Sequence, residues 1–148
     1  MSVSRYRSAS DGRSMDIAYG NKKASTAIAL NTLLTLDANG QLIPAVTASQ
    51  FVVGASLSTV LSTDTNYATT DEIQYDAAHD GDEFLMDVDS AVTAGFVAGV
   101  ERAVNSALVI KAAAPGVGEG RLVRIKKVLL ATNQAVVELI TNKDSENT

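Results

Sequence analysis

Residues 31–58, NTLLTLDANGQLIPAVTASQFVVGASLS, set a strand, a reversal, a returning strand and a further apolar run one after another. Thr32 to Leu36 is built of Leu and β-branched Thr, residue types that suit a pleated, half-buried surface. Ala38-Asn39-Gly40 supplies the φ > 0 positions that a tight reversal needs. Gln41 to Ala45 then runs back until Pro44, which has no N–H to donate, interrupts the ladder. The stretch predicts a β-hairpin. The run Phe51 to Leu57 follows as a short strand, and Gly54 within it predicts a bulge or a close approach of another backbone.

The remaining chain extends the same pattern. At 148 residues it fits one domain with a core of its own. Its apolar residues, 46% of the total with only 5% aromatic, are mostly Ala, Val and Leu, which fill thin, closely packed β layers rather than line a deep aromatic pocket. There is no Cys, which excludes disulfides, thiolate metal sites and a Cys nucleophile. The first sixteen residues carry charges without an apolar signal-peptide core, and no stretch reaches the roughly 18 apolar residues of a membrane helix. A soluble protein without a signal peptide is expected, with no membrane partner.

Charge is uneven along the chain. Residues 1–23 carry five Lys and Arg against two Asp, whereas residues 64–89 hold nine acids and no Lys or Arg. Opposite signs at two places on one small domain would let copies attract one another or a common partner, and two solvated segments with no mutual contact is the equal alternative.

In chain order, residues 1–14 are rich in Ser, Arg and Gly, with Val3 and Tyr6 as the only bulky apolar side chains, and read as a flexible basic arm. A β-rich domain over 15–141 and a polar tail over 142–148 follow. Met15 to Ile17 and Ala27 to Leu30 read as strand pieces separated by a polar turn, Gly20 to Lys23. Residues 58–70 read as a surface loop with a short strand at Val60-Leu61. Glu72 to Asp76 and Phe84 to Asp89 alternate polar and apolar residues and are expected to pair with each other across the turn Asp80 to Asp82.

Residues 91–108 carry two patterns at once. Val92, Phe96, Val100, Val104 and Leu108 recur at helical spacing, while Phe96, Ala98, Val100 and Val104 fit one strand face. Gly95 and Gly99 would each cost a helix about 1 kcal/mol relative to Ala, so two strands are expected, with a short helix as the alternative. Ala107 to Ala113, Arg121 to Lys127 with its basic residues facing one way, and a closing hairpin over 128–140 complete a mainly β fold with at most one or two short helices.

Candidate chemistry is sparse. A calcium loop starting at Asp76 places Gly81 at its sixth position and Asp87 at its twelfth, but Ala78 falls at the third and the last ligand is not Glu. An acidic turn between solvated strands is the simpler account. His79 is the only histidine, and no Ser stands in a G-x-S-x-G setting, so a catalytic triad is not expected. Gly116 to Gly120 lacks the Lys-Ser/Thr and the following helix of a phosphate loop. Arg121, Arg124, Lys126 and Lys127 lack the interleaved aromatics of a nucleic-acid surface. No enzyme activity, cofactor, metal or specific nucleic acid is expected.

The hairpin Leu33 to Ala45, the run Val52-Val53-Gly54-Ala55-Ser56-Leu57 and the step Val92-Thr93-Ala94-Gly95 resemble the capsid cement, or head decoration, proteins of tailed bacteriophages, over residues 24–140. Ala55 stands where that family is expected to carry a bulkier residue. The resemblance implies a β-barrel-like or β-tulip-like structural protein on the capsid exterior of a virion, a homotrimer that bridges major capsid protein subunits. Arg5, Tyr6, Arg7 and Arg13 would then reach the capsid or a neighbouring subunit. A tail-tube or head-completion protein and a ligand-binding β-barrel are the alternatives.

Overall fold

The structure, a computed structural model, describes residues 3–7, 16–79 and 81–141. The described chain runs through β1 (Ser4–Arg7), β2 (Ile17–Asn21), β3 (Leu33–Leu36), β4 (Leu42–Pro44), β5 (Gly54–Ser56) and β6 (Glu72–Ala77). It continues through β7 (Glu83–Val88), β8 (Glu101–Arg102), β9 (Val104–Ser106), β10 (Val109–Ile110), β11 (Val123–Leu129) and β12 (Gln134–Leu139). No helix occurs among the described residues, and so none that could cross a membrane.

The strands form two sheets. The smaller has the order β2-β6-β5-β3-β4, and the larger β8-β11-β12-β7-β10-β9, with β1 also on β7. The edges of the larger order, β8 and β9, are separated in the chain by Ala103 alone. Residues 101–106 therefore pair with β11 through one half and with β10 through the other, and the sheet rolls into a nearly closed barrel. One edge of β7 is shared in the same way, β1 lying antiparallel along Glu83 to Leu85 and β10 parallel along Asp87 and Val88. The smaller sheet curls until Lys22, just past β2, bridges to Leu42 of β4.

The hairpin forms as expected. Leu36 faces Leu42 and Leu34 faces Pro44, and the connecting turn closes on Asp37, whose Oδ1 accepts the N–H groups of Asn39 and Gln41. Of the three expected φ > 0 positions only Gly40 is used, at φ 75°. Successive side chains of β3 point to opposite faces, so Leu33 packs into the larger core with Phe84, Met86, Ile110 and Ile125, while Leu34 packs into the smaller one with Ile28, Leu42, Val60 and Ile73. The first strand of the hairpin is thus a wall between two cores, and truncating either leucine to Ala would cost about 2–5 kcal/mol. Gly54 fulfils the close approach expected of it, since a Cβ there would lie 2.1 Å from the Asp76 carbonyl oxygen.

Several expectations are corrected. Glu72 to Asp76 and Phe84 to Asp89 are strands but not partners: β6 lies between β2 and β5, whereas β7 lies between β12 and β1 or β10. The connection over 78–82 hands the chain from one sheet to the other. The expected turn at Gly20 to Lys23 is the end of β2 followed by a buried Lys22, and Ala27 to Leu30 contributes only a bridge from Ile28 to Val60. Residues 91–100 hold turns, and the strand content expected there begins at Glu101. The basic residues of β11 do not share one face by alternation. A register shift between Ile125 and Lys127 inserts an extra residue, so Lys126 and Lys127 are both exposed in succession.

Residues 3–7 differ from the free arm expected of them. Val3 is buried in the larger core, its N–H donating to the Asn31 carbonyl oxygen, and β1 extends the barrel. Residues 8–15, with Arg13, and the tail from 142 onward lie outside the described residues, as does Asp80.

Candidate contact surface

The segment that leaves β7 returns to the barrel as β8 by way of a loop pinned at Phe96. Phe96 is buried, and the Arg102 guanidinium lies 5.7 Å from its ring centroid. Arg102 also donates from Nε to Ala112 O (3.1 Å), from Nη1 to Glu101 O (3.0 Å) and from Nη2 to Gly95 O (3.1 Å). One cation and one ring thereby hold the loop, β8 and the segment after β10 together. Gly99 N–H donates to Ile125 O, and Ile125 N–H to Val100 O, which fixes the loop along β11.

A cleft lies on each side of this loop. The first, about 490 Å³, is lined by Val92, Ala94, Val97, Val128 and Leu130 among others. Leu130 is 74% exposed and Val97 49% exposed, so two large apolar side chains stand in solvent on the walls of one cleft. The second, about 540 Å³, is lined by Glu101, Arg102, Pro115, Arg121 and Arg124 with small neighbours.

The charges around the second cleft form a partial network. Arg124 pairs with Glu101 at 3.0 Å and with Glu138 at 3.4 Å, and Lys126 reaches Glu138 at 3.8 Å. The hydrogen bond to Glu101 holds the Arg124 guanidinium above its ordinary range, against the opposing effect of desolvation. The loop beside it is set by Glu119, which accepts the Gly116 N–H and pairs with Lys111. These two contacts hold its carboxyl below the usual carboxylate value. Gly120 then passes against residues 47–50, its N–H donating to Thr47 O at 2.8 Å.

The residues expected to make contacts fall elsewhere. Arg5, Tyr6 and Arg7 are consecutive on β1, with Arg5 opposite Phe84 and Arg7 opposite Glu83, so their backbone is committed to the barrel. The step Val92 to Gly95 lies in the loop between the clefts. The acidic cluster is not a solvated turn: Asp76, Asp82 and Glu83 are buried, Asp76 accepting from Asp16 N–H and Asp82 from His79 N–H. No group of three His, Cys, Asp or Glu among the described residues is arranged to hold a metal ion. The His79 ring pairs with Asp16 at the surface, and Lys111 and Glu119 organise the glycine-rich loop.

Two residues were not singled out by sequence reasoning. Arg102 stands with Glu101 between the apolar residues 96–100 and 103–104, and that charged pair is the signal that marks it. Lys22 was hidden inside an apparent polar turn and carries no such signal. No family model matches this chain, and neither a curated protein nor a solved structure is found similar to it.

Proposed function

We propose that this chain is a non-enzymatic structural protein of a phage virion, which binds the capsid exterior as a homotrimer and bridges major capsid protein subunits. The observation that carries a contact role is the pair Val97 and Leu130, large apolar side chains standing exposed on one cleft. Exposed apolar walls on a small barrel serve a partner surface better than they serve the isolated chain. The β-rich architecture and the phage-like segments 33–45, 52–57 and 92–95 support the same reading. A single cleft buries less than the roughly 800 Å² per partner of a stable interface, so binding would draw on several contacts repeated over a lattice.

The test is co-sedimentation of the purified protein with capsids assembled from the major capsid protein of the same genome. Saturable binding to the shell at a fixed ratio is expected, from a protein whose solution mass is that of three chains. Absence from the capsid fraction at saturating protein would overturn the reading, and stacked rings of the protein alone would favour a tail-tube role.

A further inference from the structure

Among the described residues, only two carboxylates lack any hydrogen bond or ion pair, and they are neighbours: Asp71 and Glu72, exposed where the chain enters β6. Every other described acid is engaged. The second cleft holds the converse. Arg121 is exposed on its wall and makes no hydrogen bond or ion pair. Arg102, only 8% exposed, meets three neutral carbonyls and a ring but no carboxylate. Its three bonds use three of the five N–H donors of a guanidinium, and one on each terminal nitrogen is left over.

A buried cation without an anionic partner is costly, and a carboxylate entering the cleft would relieve that cost at Arg102 while meeting Arg121 at the rim. Of the other lining residues Glu101 and Arg124 are paired with each other, which leaves the cleft a net positive charge, and Gly99, Val100, Ala114 and Pro115 are small; none offers an aromatic face on which a nucleobase would stack. They suit an extended, acidic piece of polypeptide. Among the described residues the Asp71 and Glu72 carboxylates have no partner, which leaves them open to a second chain.

We propose that the Arg102–Arg121 cleft of one copy receives the Asp71–Glu72 corner of a second copy. The contact joins two different patches, so a pair still offers one free corner, on the copy whose cleft is filled, and one free cleft, on the other copy, and the assembly closes as a ring or continues. The proposal shares with the capsid reading only the association of copies: a monomeric wild type counts against both, a trimer that Arg121→Glu does not weaken overturns this contact and leaves the capsid reading standing, and a trimer held by this contact that does not bind capsids does the reverse.

The experiment is sedimentation equilibrium of the full chain and three exposed variants over a range of concentrations, at about 50 mM and about 500 mM salt, which span strong and weak screening. The wild type should self-associate, more weakly at high salt. Arg121→Glu and the double variant Asp71→Asn/Glu72→Gln should each raise the dissociation constant by about tenfold or more, equivalent to 1.4 kcal/mol or more. Lys127→Glu, which reverses an exposed cation outside the cleft, should leave it unchanged. An equimolar mixture of Arg121→Glu with the double variant should form a one-to-one complex that grows no further, because only one intact cleft and one intact corner remain. A wild type that stays monomeric throughout, a Lys127→Glu effect equal to that of Arg121→Glu, or a mixture that fails to pair would each overturn the proposal.

Discussion

Gly120 passes so close to Ser49 that a Cβ on residue 120 would lie 1.5 Å from the Ser49 carbonyl oxygen. The neighbour is backbone, and the same glycine donates its N–H to Thr47 O, so neither partner can give way without breaking the contact. Gly120→Ala is expected to lower stability by about 3 kcal/mol, at the upper end of overpacking costs. Chemical denaturation would check it. A loss below about 0.5 kcal/mol, the range of an ordinary surface change, would mean that the loop is free to shift.

Lys22 has no exposed surface, and its ammonium donates to the carbonyl oxygens of Thr69 (2.6 Å), Tyr67 (2.8 Å) and Lys23 (3.3 Å). It ties the loop before β6 to the point where the smaller sheet closes. Lys22→Met keeps the apolar stem and removes the donors, leaving carbonyls without their partner. A loss of about 2–4 kcal/mol is expected from the urea midpoint, together with faster proteolysis within residues 61–71. Unchanged stability and unchanged cleavage would show that the ammonium does not hold the loop.

Glu119 titrates below its ordinary value of 4.5, first because it accepts the Gly116 N–H and then because Lys111 is beside it. A carboxyl lowered by folding contributes stability above its unfolded pKa and loses it as pH falls through the folded one. Glu119→Gln should therefore be less stable than the wild type near neutral pH, and the difference should shrink below about pH 4.5 as the wild-type carboxyl protonates. Thermal unfolding of both proteins from neutral pH down to about pH 3 would check this, and a difference that grows on acidification would contradict the sign.

Leu130 and Val97 are exposed, so replacing both with Ser should change stability by no more than about 0.5 kcal/mol each. Capsid binding in the co-sedimentation assay should fall by about tenfold or more if this cleft meets the shell. Full binding by the double variant would move the contact surface elsewhere on the barrel.

The legible parts of the fold are those settled by neighbours in the chain. The hairpin from Leu33 to Pro44 needs only a short turn between strand-forming residues. The last reversal, before Gln134, was legible in the same way, but residues 121–131 read as two strands where the structure has the single strand β11, whose register shift breaks the alternation. Gly54 announced itself because a lone glycine in an apolar run has few other reasons to be there. The candidate surface was less legible. Arg121 and Arg124 were visible as basic residues, but the cleft they share with Arg102 depends on the loop at Phe96 folding back along β11.

By itself the sequence determined that the chain is β-rich, where it reverses, and which positions must be buried or glycine, because strand alternation and turn chemistry are local. Only the tertiary structure decided that β6 and β7 part into different sheets, that residues 101–106 close the barrel on both sides, and that Lys22 is buried while Asp71 and Glu72 are left unpaired. Alternation states that one face of a strand avoids water but not which of two cores receives it, and a charge is paired or left alone according to backbones brought together from distant parts of the chain.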